Sequence, residues 1–105
     1  MNYHPSLTVM AIFIRLVNFT TEGHKSAKSF QSGREEYLSS LKKLNIKLIG
    51  EYVTTGSYDI VAIIDAPDLN AVLKLSAMTG MSGRTRSETL SAVSADDFEK
   101  LTKAL

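Results

Sequence analysis

A chain of 105 residues, 44% of them apolar and 22% charged, has the size and composition of one domain with a modest core. Its formal net charge of +1 argues against a dedicated nucleic-acid binder, which would carry a marked basic excess. The lack of cysteine excludes a disulfide framework, a thiolate metal site and a cysteine nucleophile, and it fits a cytoplasmic protein.

Met1 to Ser6 carries Pro5 and no pattern and is expected to be a flexible lead-in, followed by a single domain over 7–105. Leu7 to Phe19 reads as the first strand. Its alternating sets are Val9, Ala11, Phe13, Val17 and Met10, Ile12, Ile14, Leu16; both are apolar, so both faces of the strand are expected to be covered. The run from Val9 to Ile14 is too short to span a bilayer and is stopped by Arg15, and no basic residue precedes it as in a secretory signal. No membrane partner is expected.

Thr20-Thr21-Glu22-Gly23 offers a cap and a break. Ser26 to Leu44 has helical spacing in Ala27, Phe30, Tyr37, Leu38, Leu41 and Leu44. Ser32-Gly33 predicts a short first turn and a main helix from about Gly33, with Glu35 and Glu36 near its start and Lys42 and Lys43 near its end. Asn45 fits the stop.

Ile46 to Thr55 and Tyr58 to Asp65 read as two strands joined by the tight turn Gly56-Ser57, with glycine at the first central position. Thr55 then opposes Tyr58, and Thr54 opposes Asp59. Strict alternation puts Ile49, Glu51, Val53, Tyr58, Ile60 and Ile64 on one face, and Leu48, Tyr52, Asp59, Val61 and Ile63 on the other. Ala66-Pro67-Asp68 starts a second helix to about Met78, with Pro67 at an early helical position and Leu69, Val72, Leu73 and Ala77 as its apolar stripe. Thr79 to Gly83 reads as a loop and Arg84 to Val93 as a fourth strand. Ser94 to Asp97 caps a last helix carrying Phe98 and Leu101.

The order β-α-β-β-α-β plus a terminal helix predicts a ferredoxin-like α+β fold with an antiparallel sheet. In that topology the first and third strands are central, and they are the most apolar here. The second and fourth, expected at the edges, carry Lys47, Glu51, Arg84, Arg86 and Glu88. Two helices cover only one face of such a sheet, so the other face is expected to join a second copy, giving a homodimer or higher assembly. The competing expectation is that the terminal helix folds back over that face.

The stretch "TTGSYDIVAIIDAPD", with "FTTEGHKSAKS" before it and "GRTRSETLSAVSADDF" after it, resembles the GYD-domain family, named for a Gly-Tyr-Asp signature that stands here as Gly56, Tyr58 and Asp59. The resemblance runs from about Leu7 to Phe98. It implies a ferredoxin-like domain that pairs into a dimeric α/β barrel, and it implies little about chemistry.

The candidate ligand-binding residues are His24, Tyr58, Asp59, Arg84, Arg86 and Glu88. His24 is the best general base by residue type. The Tyr58 hydroxyl offers a donor at a pocket rim, or its ring packs across the hairpin. Asp59 accepts bonds from backbone amides near the turn, or pairs with arginine. Arg84 and Arg86 suit a carboxylate or phosphate, with Glu88 as an ion-pair partner on a charged edge. Gly56 is a structural turn residue demanding positive φ. No cofactor or metal is expected, since the two histidines are far apart in sequence and no phosphate-binding loop is present.

The reading that follows is a non-catalytic oligomeric module that binds a small molecule or a partner. The alternative is a small dimeric-barrel enzyme, of cofactor-independent monooxygenase or isomerase type, using His24, Tyr58, Arg84 and Arg86. Convergence of those groups in one pocket separates the two.

Overall fold

A computed structural model describes residues 11–21, 27–103 and 105. The expected lead-in, the start of the first strand, the end of the predicted break and His24 lie outside the described residues. The elements are β1 (Ala11–Phe19), α1 (Ala27–Lys43), β2 (Lys47–Val53), β3 (Ile60–Ala66), α2 (Leu69–Met81), β4 (Thr85–Ala92) and α3 (Ala95–Lys103). The strands form one antiparallel sheet in the order β2-β3-β1-β4. The apolar strands are central and the charged ones are edges, which is the ferredoxin-like arrangement.

One face of the sheet packs against α1 and α2. Phe13, Ile64 and Ala66 from the sheet meet Leu41 and Ile46 at the end of α1 and Ala71, Val72 and Leu75 of α2. Ile64 and Leu75 are fully buried; each such side chain contributes about 1.5–3 kcal/mol over an exposed one. The end of α1 is fixed by Asn45, whose φ of 58° reverses the chain. The Ile46 amide then donates to the Leu41 carbonyl at 2.9 Å and the Asn45 amide to Lys42 at 3.2 Å. These bonds satisfy carbonyls the helix leaves open and bring Ile46 onto Leu41.

Several boundaries differ from the sequence expectation, each for a physical reason. The helix α1 runs unbroken through Ser32-Gly33. A Cβ at Gly33 would sit 3.3 Å from Arg84 Nη1, the movable end of a part-exposed side chain. Glu35 and Glu36 consequently lie mid-helix. The helix α2 starts at Leu69, two positions after Pro67, because Asp68 is its cap and accepts from the Ala71 amide at 2.8 Å. It continues to Met81, absorbing Thr79 and Gly80. Its buried stripe is Ala71, Val72 and Leu75, while Leu69 and Leu73 face outward, 58% and 56% exposed.

The hairpin keeps its predicted register at the mouth, where the Thr54 amide donates to the Asp59 carbonyl at 2.8 Å. The strands nevertheless stop at Val53 and resume at Ile60. The Thr54 hydroxyl bonds the Tyr58 carbonyl at 2.6 Å, and the Asp59 amide turns to the Val17 carbonyl of β1 at 2.9 Å. Residues 58 and 59 are therefore outside the strand alternation. Farther along, a bulge between Leu48 and Gly50 shifts the register, so Leu48 opposes Ile64 and packs on the core, contrary to strict alternation.

The second face carries rows that cross the sheet. Leu90, Ile14, Ile63 and Gly50 form one; Glu88, Leu16, Val61 and Tyr52 form the next. The helix α3 does not roof them: none of its residues is buried, and Phe98 and Leu101 are 59% and 62% exposed. No helix among the described residues is long and apolar enough to cross a membrane.

Candidate functional site

The helix-covered side of β1 alternates Phe13, Arg15, Val17 and Phe19. Arg15 stands where the pattern calls for an apolar residue and is only 2% exposed. Its Nη2 donates to Thr79 Oγ1 at 3.2 Å and to Ser87 Oγ at 2.9 Å. Its guanidinium lies over the Tyr37 ring, 5.6 Å from the centroid. One side chain thus contacts α1, α2 and β4. The longer α2 matters here: the Thr79 hydroxyl gives its proton back to the Leu75 carbonyl at 3.0 Å, which leaves its lone pairs to accept from arginine.

These contacts do not satisfy the site. Arg15 Nε and the Tyr37 hydroxyl are both buried without a hydrogen-bond partner. A polar group left so costs about 1–3 kcal/mol. No carboxylate pairs with Arg15 among the described residues; the ion pairs formed are Arg34 with Glu51, Arg84 with Glu36, and Lys103 with Glu99. A guanidinium is a permanent cation in proteins, so this burial carries a charge penalty as well.

Beside Arg15 lies a cavity of about 270 Å³ between the sheet and the two helices. Val17, Phe19, Ile60 and Ala62 form its sheet wall, and Phe30 and Met78 its helix wall. Phe19 and Phe30 meet edge to face, with centroids 5.9 Å apart. At the mouth, Arg34 grips the largely buried Glu51 through Nε at 2.8 Å and Nη2 at 2.7 Å, while Arg84 and Glu36 approach loosely at 3.8 Å. Among the described residues, three arginines and two glutamates line the cavity, and pairing at the mouth leaves one positive charge, that of Arg15.

Of the described residues singled out from sequence, only Arg84 lines this cavity. Arg86 and Glu88 lie on the open face of the sheet. Tyr58 lies there too, beside Leu16 and Asn18, rather than on the Ile60 face that alternation predicted. Its hydroxyl donates to Glu88 Oε1 at 2.8 Å, and this bond, with the carboxylate's charge, raises its pKa. Asp59 Oδ2 accepts from the Phe19 amide at 2.8 Å, so it anchors the end of β1 and its structural reading holds. Gly56 has the expected positive φ, 102°. The two arginines point to opposite faces and form no joint anion site. Arg15 and Tyr37 are what sequence reasoning missed. The available signal was a charged residue at an inward-facing position of the most apolar strand.

Chemically, the cavity is lined by a cation and an aromatic side chain amid apolar walls, with Arg15 Nε and the Tyr37 hydroxyl buried in that lining without a partner. Its two carboxylates are engaged by arginines. Among the described residues no group of three metal-ligating side chains gathers. A search of the curated proteins returns no match. Residues 13–102 match the GYD domain, and the chain belongs to the GYD-domain family.

Proposed function

We propose that this chain is a non-catalytic module that takes a small molecule into the cavity between sheet and helices, and that it works as a pair of copies joined through their open sheet faces. The observation that carries the binding reading is that two side chains lining one apolar cavity, Arg15 and Tyr37, each hold a buried, unsatisfied polar atom. Folded proteins rarely leave such groups unpaired without a reason, and a bound molecule supplies one. The enzyme reading is weakened by dispersal: Tyr58 and Arg86 lie on the face away from Arg84 and the cavity.

Pairing is supported by the bare apolar rows around Ile14 and Ile63 and by the exposed Phe98 and Leu101 of α3. A sheet four strands wide and about eight residues long presents roughly 500 Å². Two such faces give about 1,000 Å², near the lower bound of a specific interface. Amide NMR against a mixed library of small aromatic fragments tests the binding site. Shifts are expected at Val17, Phe19, Tyr37 and Thr79. Shifts confined to the open face, or none at all, refute the assignment.

A further inference from the structure

We propose that the cavity selects a small aryl or branched monocarboxylate, its carboxylate seated on Arg15 and the Tyr37 hydroxyl and its apolar body against Phe19, Phe30 and Met78. This rests on the binding reading above and specifies the ligand class.

The charge comes first. Arg15 is buried, unpaired with any carboxylate among the described residues, and has an unused Nε; its second terminal nitrogen, Nη1, joins neither of its two hydrogen bonds. A ligand carboxylate would supply the missing anion and accept from both guanidinium and phenol, the arrangement in which charge-assisted hydrogen bonds are strongest. An amine would add a second cation beside the first. A neutral alcohol would leave the guanidinium charge uncompensated.

Size and shape come next. A cavity of about 270 Å³ holds the equivalent of roughly nine waters at about 30 Å³ each. That fits an acid of about ten non-hydrogen atoms. The perpendicular rings of Phe19 and Phe30 offer both an edge and a face to an aromatic or branched body. One buried cation neutralises one negative charge, so a monocarboxylate fits better than a dianionic phosphate ester. Arg34 and Arg84 at the mouth already face Glu51 and Glu36.

Calorimetry on the full chain with four probes sharing one ring tests this: phenylacetate, 2-phenylethanol, phenethylamine and phenyl phosphate. Phenylacetate is expected to bind at least about tenfold more tightly than each of the others. Arg15→Met is expected to erase that preference while leaving 2-phenylethanol within about threefold of its original affinity. Tyr37→Phe removes one acceptor-seeking hydroxyl and should weaken phenylacetate about two- to tenfold without moving 2-phenylethanol. Its hydroxyl has no internal partner, so this variant keeps the test alive if Arg15→Met does not fold. Equal binding of phenylacetate and 2-phenylethanol at the cavity amides overturns the carboxylate assignment and leaves the binding reading intact. Tighter binding of phenyl phosphate overturns it in favour of a dianion. Failure of every probe and every library fragment to reach those amides overturns both.

Discussion

Ile63 sits at the middle of the open face, opposite Ile14 on one side and Gly50 on the other, with Leu90 completing the row. Replacing it with lysine is the sharpest test of pairing through that face. In a single copy Ile63 is half-buried by its neighbours, so pairing removes only the remainder from water, about 1 kcal/mol per copy and about 2 kcal/mol for both. Lysine forfeits that and sets like charges against each other near the two-fold axis, which costs about 2 kcal/mol more at the least. The sum of about 4 kcal/mol weakens association roughly a thousandfold. Light scattering should report about 23 kDa for the wild type, twice the 11.5 kDa chain, and the single-chain mass for Ile63→Lys at the same concentration. Circular dichroism should be unchanged, since a half-exposed lysine carries its ammonium out to water. The rival surface is the outward ridge of α2, so Leu73→Lys is the control. A monomeric wild type, or an Ile63→Lys protein that keeps its mass while Leu73→Lys loses it, refutes the reasoning.

Two further outcomes concern the hairpin and its surroundings. The Tyr58 hydroxyl is held protonated by its bond to Glu88 and by that carboxylate's charge, so its folded pKa lies above the ordinary 10.0. The stability it contributes is therefore complete below about pH 10 and is lost as pH climbs through the raised value. A tyrosinate absorbance titration, differenced against Tyr58→Phe, should show late ionisation that returns toward the ordinary value in Glu88→Gln; an unchanged titration in Glu88→Gln removes the cause assigned here. Gly56→Ala forces a side chain onto a φ of 102° with no steric neighbour to blame, at a cost of about 1–3 kcal/mol. Gly80→Ala adds a methyl in an open part of α2 and should gain up to about 1 kcal/mol. Thermal melts should move in opposite directions, and a destabilised Gly80→Ala would contradict the helical assignment of that residue.

The fold was legible because its determinants are local or periodic. Apolar residues on both faces of β1 and β3 mark them as central, charge marks β2 and β4 as edges, and Asn45 and Asp68 sit where helix ends need them. The reading failed where one local signal met a tertiary one. Ser32-Gly33 and Thr79-Gly80 look like breaks, yet packing on the sheet carries both helices through. Alternation placed Leu48 and Tyr58 on the wrong faces because a bulge intervenes before Gly50 and the strand begins only at Ile60. The proposed site was illegible for a deeper reason. Arg15 meets Thr79 and Ser87 across separations of 64 and 72 residues, and no spacing rule connects positions so remote.

The signature that names the family and the cavity that carries the proposed ligand are linked through β1. Gly56 lets the chain reverse, and the reversal delivers Asp59 to the end of that strand. There its amide bonds the Val17 carbonyl at 2.9 Å and its carboxylate takes the Phe19 amide at 2.8 Å. Val17 and Phe19 are two of the residues that wall the cavity beyond Arg15. Tyr58, one position earlier, ties the same corner to Glu88 of β4, the strand that also supplies Ser87 to Arg15. Tyr58 and Asp59, set by the Gly56 turn, thus brace from behind and from the side the stretch of sheet against which the proposed ligand would rest. A site built on strand residues held by such bonds keeps its geometry better than one carried on a loop. On the proposed reading, the turn signature acts through the geometry it imposes on β1.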